Sequence, residues 1–397
     1  MVRRPPSIAL SIPEPGYATL LCANFDWWQE ALNMLLPATL YEAMATAKAH
    51  AVELDDRKKA SAPFELGGER FEMQATGSRG KEFLLSNDDI RIEIGSTNIE
   101  WSITWRATAA ALWEYGVHAL RERVYGLLER AGIKPRRPDE RWVSLTRVDY
   151  AFDFWSPAFT KEMTPELVRA LVTPSEVKWR ADMWGRSAKS SDGTVQVQTL
   201  TFGSKKGCQV QIYDKTAEIV EASGKEWMLD IWGERGGYWP TEKPADVWRL
   251  EIRMAGDWLK SRTSKDPEVF FEHQWQLIAD GLFNRRLTVE NPEDSNRSRW
   301  PLHPLYSLAI EDIDNPQEFV PVGHKVTKRR DELMQMLVAN VAGTIRSAAV
   351  LEHGGTISQE IAKEIAAKAV VHAFVDKAHF TKIERAETRY ELVAEAR

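Results

Sequence analysis

Three short stretches of this chain alternate apolar and polar residues at the period of a half-buried strand: TRVDYAFDF (Thr146 to Phe154), CQVQIYDK (Cys208 to Lys215) and WRLEIRM (Trp248 to Met254). Side chains along a strand point to opposite faces in turn, so parity sorts them. In the first stretch Arg147, Asp149, Ala151 and Asp153 share one face, and Val148, Tyr150, Phe152 and Phe154 share the other. In the second, Gln209, Gln211, Tyr213 and Lys215 oppose Val210 and Ile212; in the third, Arg249, Glu251 and Arg253 oppose Trp248, Leu250, Ile252 and Met254. Stacked in one sheet, the three would gather acids, a tyrosine and guanidinium groups on a single face. Strand by strand, a solvated sheet face has the same pattern. The inventory is what suggests chemistry, since these are the parts needed for metal-assisted attack on a phosphodiester.

The rest of the pattern surrounds these strands with both kinds of element. A short strand (Ala18 to Cys22) is followed by helical spacing around Trp27 to Leu36 and Leu40 to Leu54, and charge replaces apolar residues at Asp55 to Lys59. From Phe64, the segments FELGGERFEMQAT, KEFLLS, DIRIEIGS and IEWSITW form a meander punctuated by Gly-, Ser- and Asn-rich turns. A long helix is predicted from about Ala107 to Ala131, with Gly132 as its stop. Thr164-Pro165-Glu166 is a helix start. Val195 to Phe202 and Val210 to Tyr213 flank a turn that carries Lys205 and Lys206, which makes a hairpin. Phe270 to Phe283 is helical, and two or three helices broken at Gly354-Gly355 are predicted from about Thr327 to the end. The expected architecture is therefore α+β: a central, largely antiparallel sheet with flanking helices that carries the site, plus a C-terminal helical domain. Residues 1–60 are expected to pack as a strand and helices on a catalytic domain of residues 61–320, with residues 321–397 forming the helical domain.

With 397 residues and 43% hydrophobic composition, the chain is long enough for two domains. No run approaches the roughly 18 to 20 apolar residues of a membrane span, and the first residues lack a sustained apolar segment. A cytoplasmic protein with no membrane partner is expected. Cys22 and Cys208 are too few for a disulfide framework or a cysteine zinc site. The net charge of −6 argues against coating nucleic acid through an overall positive field, yet permits a local basic groove. Candidate patches are Lys205-Lys206, Arg285-Arg286, Arg297 with Arg299, and Lys325 with Lys328 to Arg330. The 16 tryptophans are mostly core formers that could also stack on unpaired bases.

Several chemistries are excluded by what is missing. Gly80-Lys81 and Gly224-Lys225 are followed by Glu82 and Glu226 where a phosphate loop needs Ser or Thr, and Ala75 and Ile219 replace its first glycine. Neither a dinucleotide fingerprint nor a nucleophile elbow occurs. The eight histidines (His50, His118, His273, His303, His324, His353, His372 and His379) include no pair at zinc-site spacing. A metal would have to be held by carboxylates, which suits Mg²⁺ or Mn²⁺.

On these residues the chain resembles the rolling-circle replication initiation factors of the Rep_trans type, which are related to conjugative relaxases of the MobT class. The resemblance spans roughly residues 64–308. It rests on Thr146, Arg147, Val148, Asp149 and Asp153; on Phe202, Gly203 and Ser204 with Ile212, Tyr213, Asp214 and Lys215; and on Arg249, Leu250, Glu251 and Arg253. KTAEI with ASGKEW, and SNRSRWPLHPLY, also look like the bacterial branch. The resemblance implies a metal-dependent tyrosine endonuclease that nicks and re-joins one strand of a plasmid or phage origin. Tyr213 falls on the nicking tyrosine, and Asp149, Glu251 and Asp153 fall on the metal ligands. Lys215, Arg249 and Arg253 are assistants to the phenol or the phosphate, while Arg147, Lys205, Lys206, Arg297 and Arg299 are candidate DNA contacts. The expected partners are origin DNA, as a single-stranded or cruciform region within duplex, a host helicase and a second copy of the chain. Two rival readings stand beside it: a conjugative relaxase acting at a transfer origin, and a noncatalytic DNA-binding regulator on the same scaffold.

Overall fold

The structure is a computed structural model and describes residues 3, 8–54, 61–78, 80–96, 99–164, 167, 170–172, 177–181, 197–241, 243–316, 338, 341–349 and 358–375. Its centre is an antiparallel sheet of eleven strands. In chain order these are β1 (Thr19–Leu32), β2 (Ser61–Leu66), β3 (Glu69–Gln74), β4 (Phe83–Ser86), β5 (Ile90–Ile94), β6 (Ile103–Ala107), β7 (Val143–Trp155), β8 (Val177–Ala181), β9 (Val197–Gly203), β10 (Cys208–Asp214) and β11 (Val247–Ala255). Across the sheet the order is β8-β9-β10-β11-β7-β1-β6-β5-β4-β3-β2. The expected meander is β2 to β6, and the expected hairpin is β9 and β10. Gly67 and Gly68 make the tight turn between β2 and β3. Gly67 has φ of 56°, and a Cβ there would lie 2.1 Å from the Leu127 carbonyl oxygen, so only glycine fits.

One expectation is overturned at the N-terminal end. Trp27 to Leu36 does not begin a helix: β1 runs through Leu32 and lies in the middle of the sheet, between β6 and β7. The cause is a set of irregularities in its pairing with β7, at Leu20/Cys22, Phe25/Trp27 and Gln29/Glu30. Each such bulge inserts a residue and resets the alternation. Inward-facing Phe25, Trp28 and Leu32 consequently recur at spacings of three and four, the spacing of a helix face.

The core lies on one side of the sheet. There Trp28 stacks on Phe271 with centroids 4.9 Å apart, Phe25 meets Phe270 at 6.3 Å and Tyr150 meets Trp275 at 5.8 Å. The helix that supplies these partners, Pro267–Asn284, is capped by Asp266, which accepts from the Glu268 N–H at 2.9 Å and precedes a proline at the first turn. The long helix is Ala109–Arg130, capped by Thr108. The C-terminal residues of the Pro304–Asp314 helix, Ile310 and Ile313, belong to the same core.

Contacts divide the chain into two compact units: Met1–Asp214 with Arg235–Tyr238 and Asp246–Gly323, and Lys215–Glu234 with Trp239–Ala245 and His324–Arg397. In the second, Lys215–Glu218 is a short helix followed by a π-helical turn, Ile219–Ser223, that ends at Gly224 in the left-handed region. A helix at Gln359–Val375 agrees with the helical expectation for the C-terminal residues. The proposed helix start at Pro165-Glu166, the break at Gly354-Gly355 and the Lys325 to Arg330 patch lie outside the described residues. Among the described residues no helix is long and apolar enough to cross a membrane.

Candidate active site on the polar sheet face

Register brings the three alternating strands together as parity requires. β11 lies between β10 and β7, with Tyr213 opposite Arg249, Gln209 opposite Arg253, Arg249 opposite Asp153 and Arg253 opposite Asp149. Directly opposed residues share a face. Tyr213, Arg249, Glu251, Arg253, Asp149 and Asp153 therefore converge on the side away from the aromatic core.

β1 adds a residue that no alternation revealed. Its bulge after Phe25 leaves Asp26 reaching the Arg249 Nη1 at 2.8 Å, while Trp27 lies opposite Asp149. Bulges of this kind often re-aim side chains beside active sites. Cys22, opposite Asp153, sits with its sulfur 3.7 Å from that carboxylate. Burial, then the Asp153 charge, pushes the Cys22 thiol well up, so it stays an inert neutral group.

The carboxylates differ sharply in how they are held. Asp153 is buried and accepts from Arg249 on both oxygens, Nε to Oδ1 at 2.6 Å and Nη2 to Oδ2 at 2.8 Å. Arg249, itself 1% exposed, is thus committed to Asp153 and Asp26, and their charges hold its pKa up despite burial. Such a buried fork-to-fork pair orders the sheet, and neither partner is free to meet a phosphate. Asp149 is also buried, but its cations stand nearer solvent. It accepts from Arg147 Nε at 2.9 Å, from Arg147 Nη2 and from Arg253 Nε at 3.2 Å, and Arg253 and Arg147 keep 18% and 24% of their side chains exposed.

Glu251 is the least satisfied. It accepts from the Tyr213 hydroxyl at 3.1 Å and, weakly, from Arg253 Nη2 at 3.4 Å. Burial, followed by the charges of Asp149 and Asp26, pushes its carboxyl up to about 7, against the pull of Arg249 and Arg253. The face holds one carboxyl group more than its three guanidinium groups can balance, and Glu251 carries that excess.

Asp149 and Glu251 fit a divalent cation in donor type and in the negative charge that surrounds them. Asp153 fits less well: the guanidinium on both of its oxygens, that of Arg249, is buried, whereas the one on both oxygens of Asp149, that of Arg147, stands nearer solvent. Among the described residues no three His, Cys, Asp or Glu side chains are already gathered as a ligand set.

The other expected residues divide. Arg147 belongs to the face. Lys205 and Lys206 are exposed in the turn after β9, next to the sheet end. Lys215 is not on the strand face: β10 stops at Asp214, and Lys215 opens a short helix, where its buried ammonium pairs with Glu218 at 2.5 Å. Helix geometry, in which residues three apart are neighbours, replaces the strand parity that would have set it beside Tyr213. Arg299 lies on an exposed 3₁₀ turn with Arg297 and is held by both oxygens of Asp294 at 2.7 Å. Arg286, from another basic pair, is buried and donates to the Phe283 and Ser298 carbonyls at 2.5 and 2.6 Å, a structural role.

No protein-family model matches this chain, and no curated protein does. A solved structure to which it is similar is a rolling circle replication initiator protein from Geobacillus stearothermophilus. The two are 15% identical, with a TM-score of 0.43, over 75% of this chain and 98% of that one.

Proposed function

We propose that this protein is a DNA strand-nicking and re-joining enzyme of a replication origin, with Tyr213 as nucleophile and Glu251 as the base that activates it. The observation that carries the reading is the 3.1 Å hydrogen bond from the Tyr213 hydroxyl to a buried carboxylate whose pKa is pushed up to about 7. A phenol is a weak nucleophile near neutrality and needs a base within hydrogen-bond reach. Few features of an ordinary strand tyrosine would call for a carboxylate so poorly neutralised beside it.

In the proposed step the Tyr213 Oη attacks the phosphorus of one phosphodiester as Glu251 takes the phenolic proton. The bond from phosphorus to the 3′-oxygen breaks, the leaving oxygen takes a proton from water, and a 5′-phosphotyrosine and a free 3′-hydroxyl result. The phosphodiester is kept as a covalent ester, so attack by a 3′-hydroxyl reverses the step and re-joins the strand. Arg253 and Arg147, partly exposed and anchored on Asp149, are the guanidinium groups suited to the non-bridging oxygens. Asp149 and Glu251 would hold a divalent cation, Mg²⁺ or Mn²⁺, whose contribution is to neutralise charge growing on the phosphate. Asp153 and Arg249 serve instead to position β7 against β11 and β1.

Origin DNA is the proposed partner, and the free 3′-hydroxyl is the primer end that rolling-circle replication requires. Wild-type protein and Tyr213→Phe are incubated with supercoiled DNA carrying the origin and Mg²⁺ or Mn²⁺, and the products resolved under denaturing conditions. Wild type is expected to give an open circle with protein attached to one 5′ end, and Tyr213→Phe neither product. A covalent adduct formed by Tyr213→Phe would sink the assignment.

A further inference from the structure

Beyond Asp149 the polar face continues across β1, β6 and β5 into a second constellation that nicking does not use. Trp27 is half-buried between two guanidinium groups, that of Arg147 at 4.1 Å and that of Arg106 at 4.4 Å from its ring centroid. Gln29, which accepts from the Trp27 indole N–H at 3.3 Å, is opposite both Arg106 and Arg147. Arg106 is opposite Arg91, and Thr104 is opposite Glu93. Trp27, Gln29, Arg91, Glu93, Thr104 and Arg106 line a shallow open cleft. Its polar edges are specific. Glu93 is buried and is met by Arg91 Nη2 at 3.2 Å; the same nitrogen reaches Ser78 Oγ at 3.1 Å, and the buried Arg91 Nε–H has no hydrogen-bond partner.

We propose that this cleft binds one unpaired base of the strand being cut, a base that carries an amino group, and so helps select where the strand is cut. The proposal rests on the reading that this face receives a single DNA strand. Single-stranded bases are held by stacking on aromatic rings and guanidinium planes, and are identified by hydrogen bonds to their edges. The guanidinium plane of Arg106, backed by the Trp27 ring, supplies the stacking surface, and Gln29 and Thr104 supply adaptable polar groups. The Glu93 carboxylate at the floor accepts from an amino group, which a base can offer and a phosphate cannot. Cytosine, guanine and adenine each present an amino group with an acceptor near it, the pair of groups that matches a carboxylate and the unpartnered Arg91 N–H, whereas thymine has no amino group.

Spacing makes the cleft useful to the cut. β1 lies three strands from β10, about 14 Å at the usual strand separation, so the base would sit a few nucleotides from a phosphate at Tyr213. Arg147 ties the two together, with its guanidinium both on the Trp27 ring and on Asp149.

The test uses Tyr213→Phe protein, so that cutting does not interfere, and fluorescence anisotropy with fluorescein-labelled oligo(dC), oligo(dT) and a mixed-sequence single strand. The parent is expected to prefer oligo(dC) to oligo(dT) at least threefold. Adding Trp27→Ala should weaken mixed-strand binding about tenfold, because Arg106 loses the ring that holds its stacking plane in place. Adding the isosteric Glu93→Gln should bring the dC to dT ratio close to one while leaving the melting temperature unchanged. Binding unchanged by Trp27→Ala, or a ratio unchanged by Glu93→Gln, overturns the proposal. If Trp27→Ala fails to fold, the Glu93→Gln ratio decides alone. Wild-type protein that nicks while both variants bind like the parent removes the cleft and leaves the nicking reading standing. Protein that binds through Trp27 and Glu93 but never nicks does the reverse.

Discussion

Two buried glutamates on opposite faces of the same sheet each accept a hydrogen bond from a tyrosine, and they could hardly be held more differently. Glu30, on the core side of β1, is fully buried and accepts from Trp28 Nε1 and Trp105 Nε1 at 3.0 Å, Arg121 Nε at 2.8 Å and the Tyr125 hydroxyl at 2.6 Å. Glu251, on the polar side, has Tyr213 at 3.1 Å, a long bond from Arg253 and two repelling carboxylates. A buried charge with every lone pair satisfied is a staple, whereas one left short of donors is a reservoir of reactivity. Burial and residue type alone therefore do not separate structure from chemistry; donor supply does.

The largest contrast is expected between the two tyrosines. Tyr213→Phe should lower nicking by about 10³-fold or more with little change in stability. Tyr125→Phe should leave nicking intact and cost about 1–2 kcal/mol in denaturant unfolding, because it strips Glu30 of a donor. Equal nicking by both would erase the distinction.

The two glutamates come next. Glu30→Gln breaks the pair with Arg121 and should destabilise the protein by about 3–5 kcal/mol, or prevent folding. Glu251→Gln should slow nicking by about 10²-fold while folding normally. The pH dependence sharpens this. Since the folded-state pKa of Glu251 is raised to about 7, its neutral form is favoured by folding. That stability is fully present below its ordinary value near 4.5 and is lost as pH rises through about 7. Nicking should show the opposite trend, rising with pH as the base becomes ionised, and the rise should fall below pH 7 once a divalent cation beside Glu251 favours its carboxylate. In Glu251→Gln both this stability loss and the rate rise should be absent, as seen in melting and single-turnover profiles from pH 5 to 9. A smaller effect is expected from Lys205→Ala with Lys206→Ala: a few-fold weaker DNA binding at moderate salt, a salt slope reduced by about 1 for each lysine that contacts a phosphate, and unchanged cutting of saturated complexes.

The unequal treatment of the two glutamates was only half legible in the sequence. Parity along β7, β10 and β11 placed Tyr213, Glu251, Asp149 and Asp153 on one face because those strands pair without interruption, and interruption is what defeats parity. β1 carries its bulges where Asp26 and Trp27 leave the alternation, so its sequence has the spacing of a helix and gives no sign that either residue faces the site. Lys215 shows the converse: the alternation continues in the sequence one residue past the end of its strand. Partners were the other hidden quantity. Asp153 and Asp149 look alike in sequence, yet Arg249 stands opposite one and Arg253 opposite the other, a register only the assembled sheet defines. The Glu30 cluster gave no signal, because its donors lie on β1, β6 and the long helix.

The position of β1 also has a kinetic side. Thr19 pairs with Trp155 and Leu32 with Val143, so the strand that joins the two halves of the sheet must wait for a partner synthesised much later. Contacts so distant in sequence are slow to form, while the local β2 to β6 meander can close early. Until β7 arrives, one edge of β1 stays unpaired and open to strand exchange or aggregation, which makes refolding yield, more than final stability, the property most exposed to mutations along it.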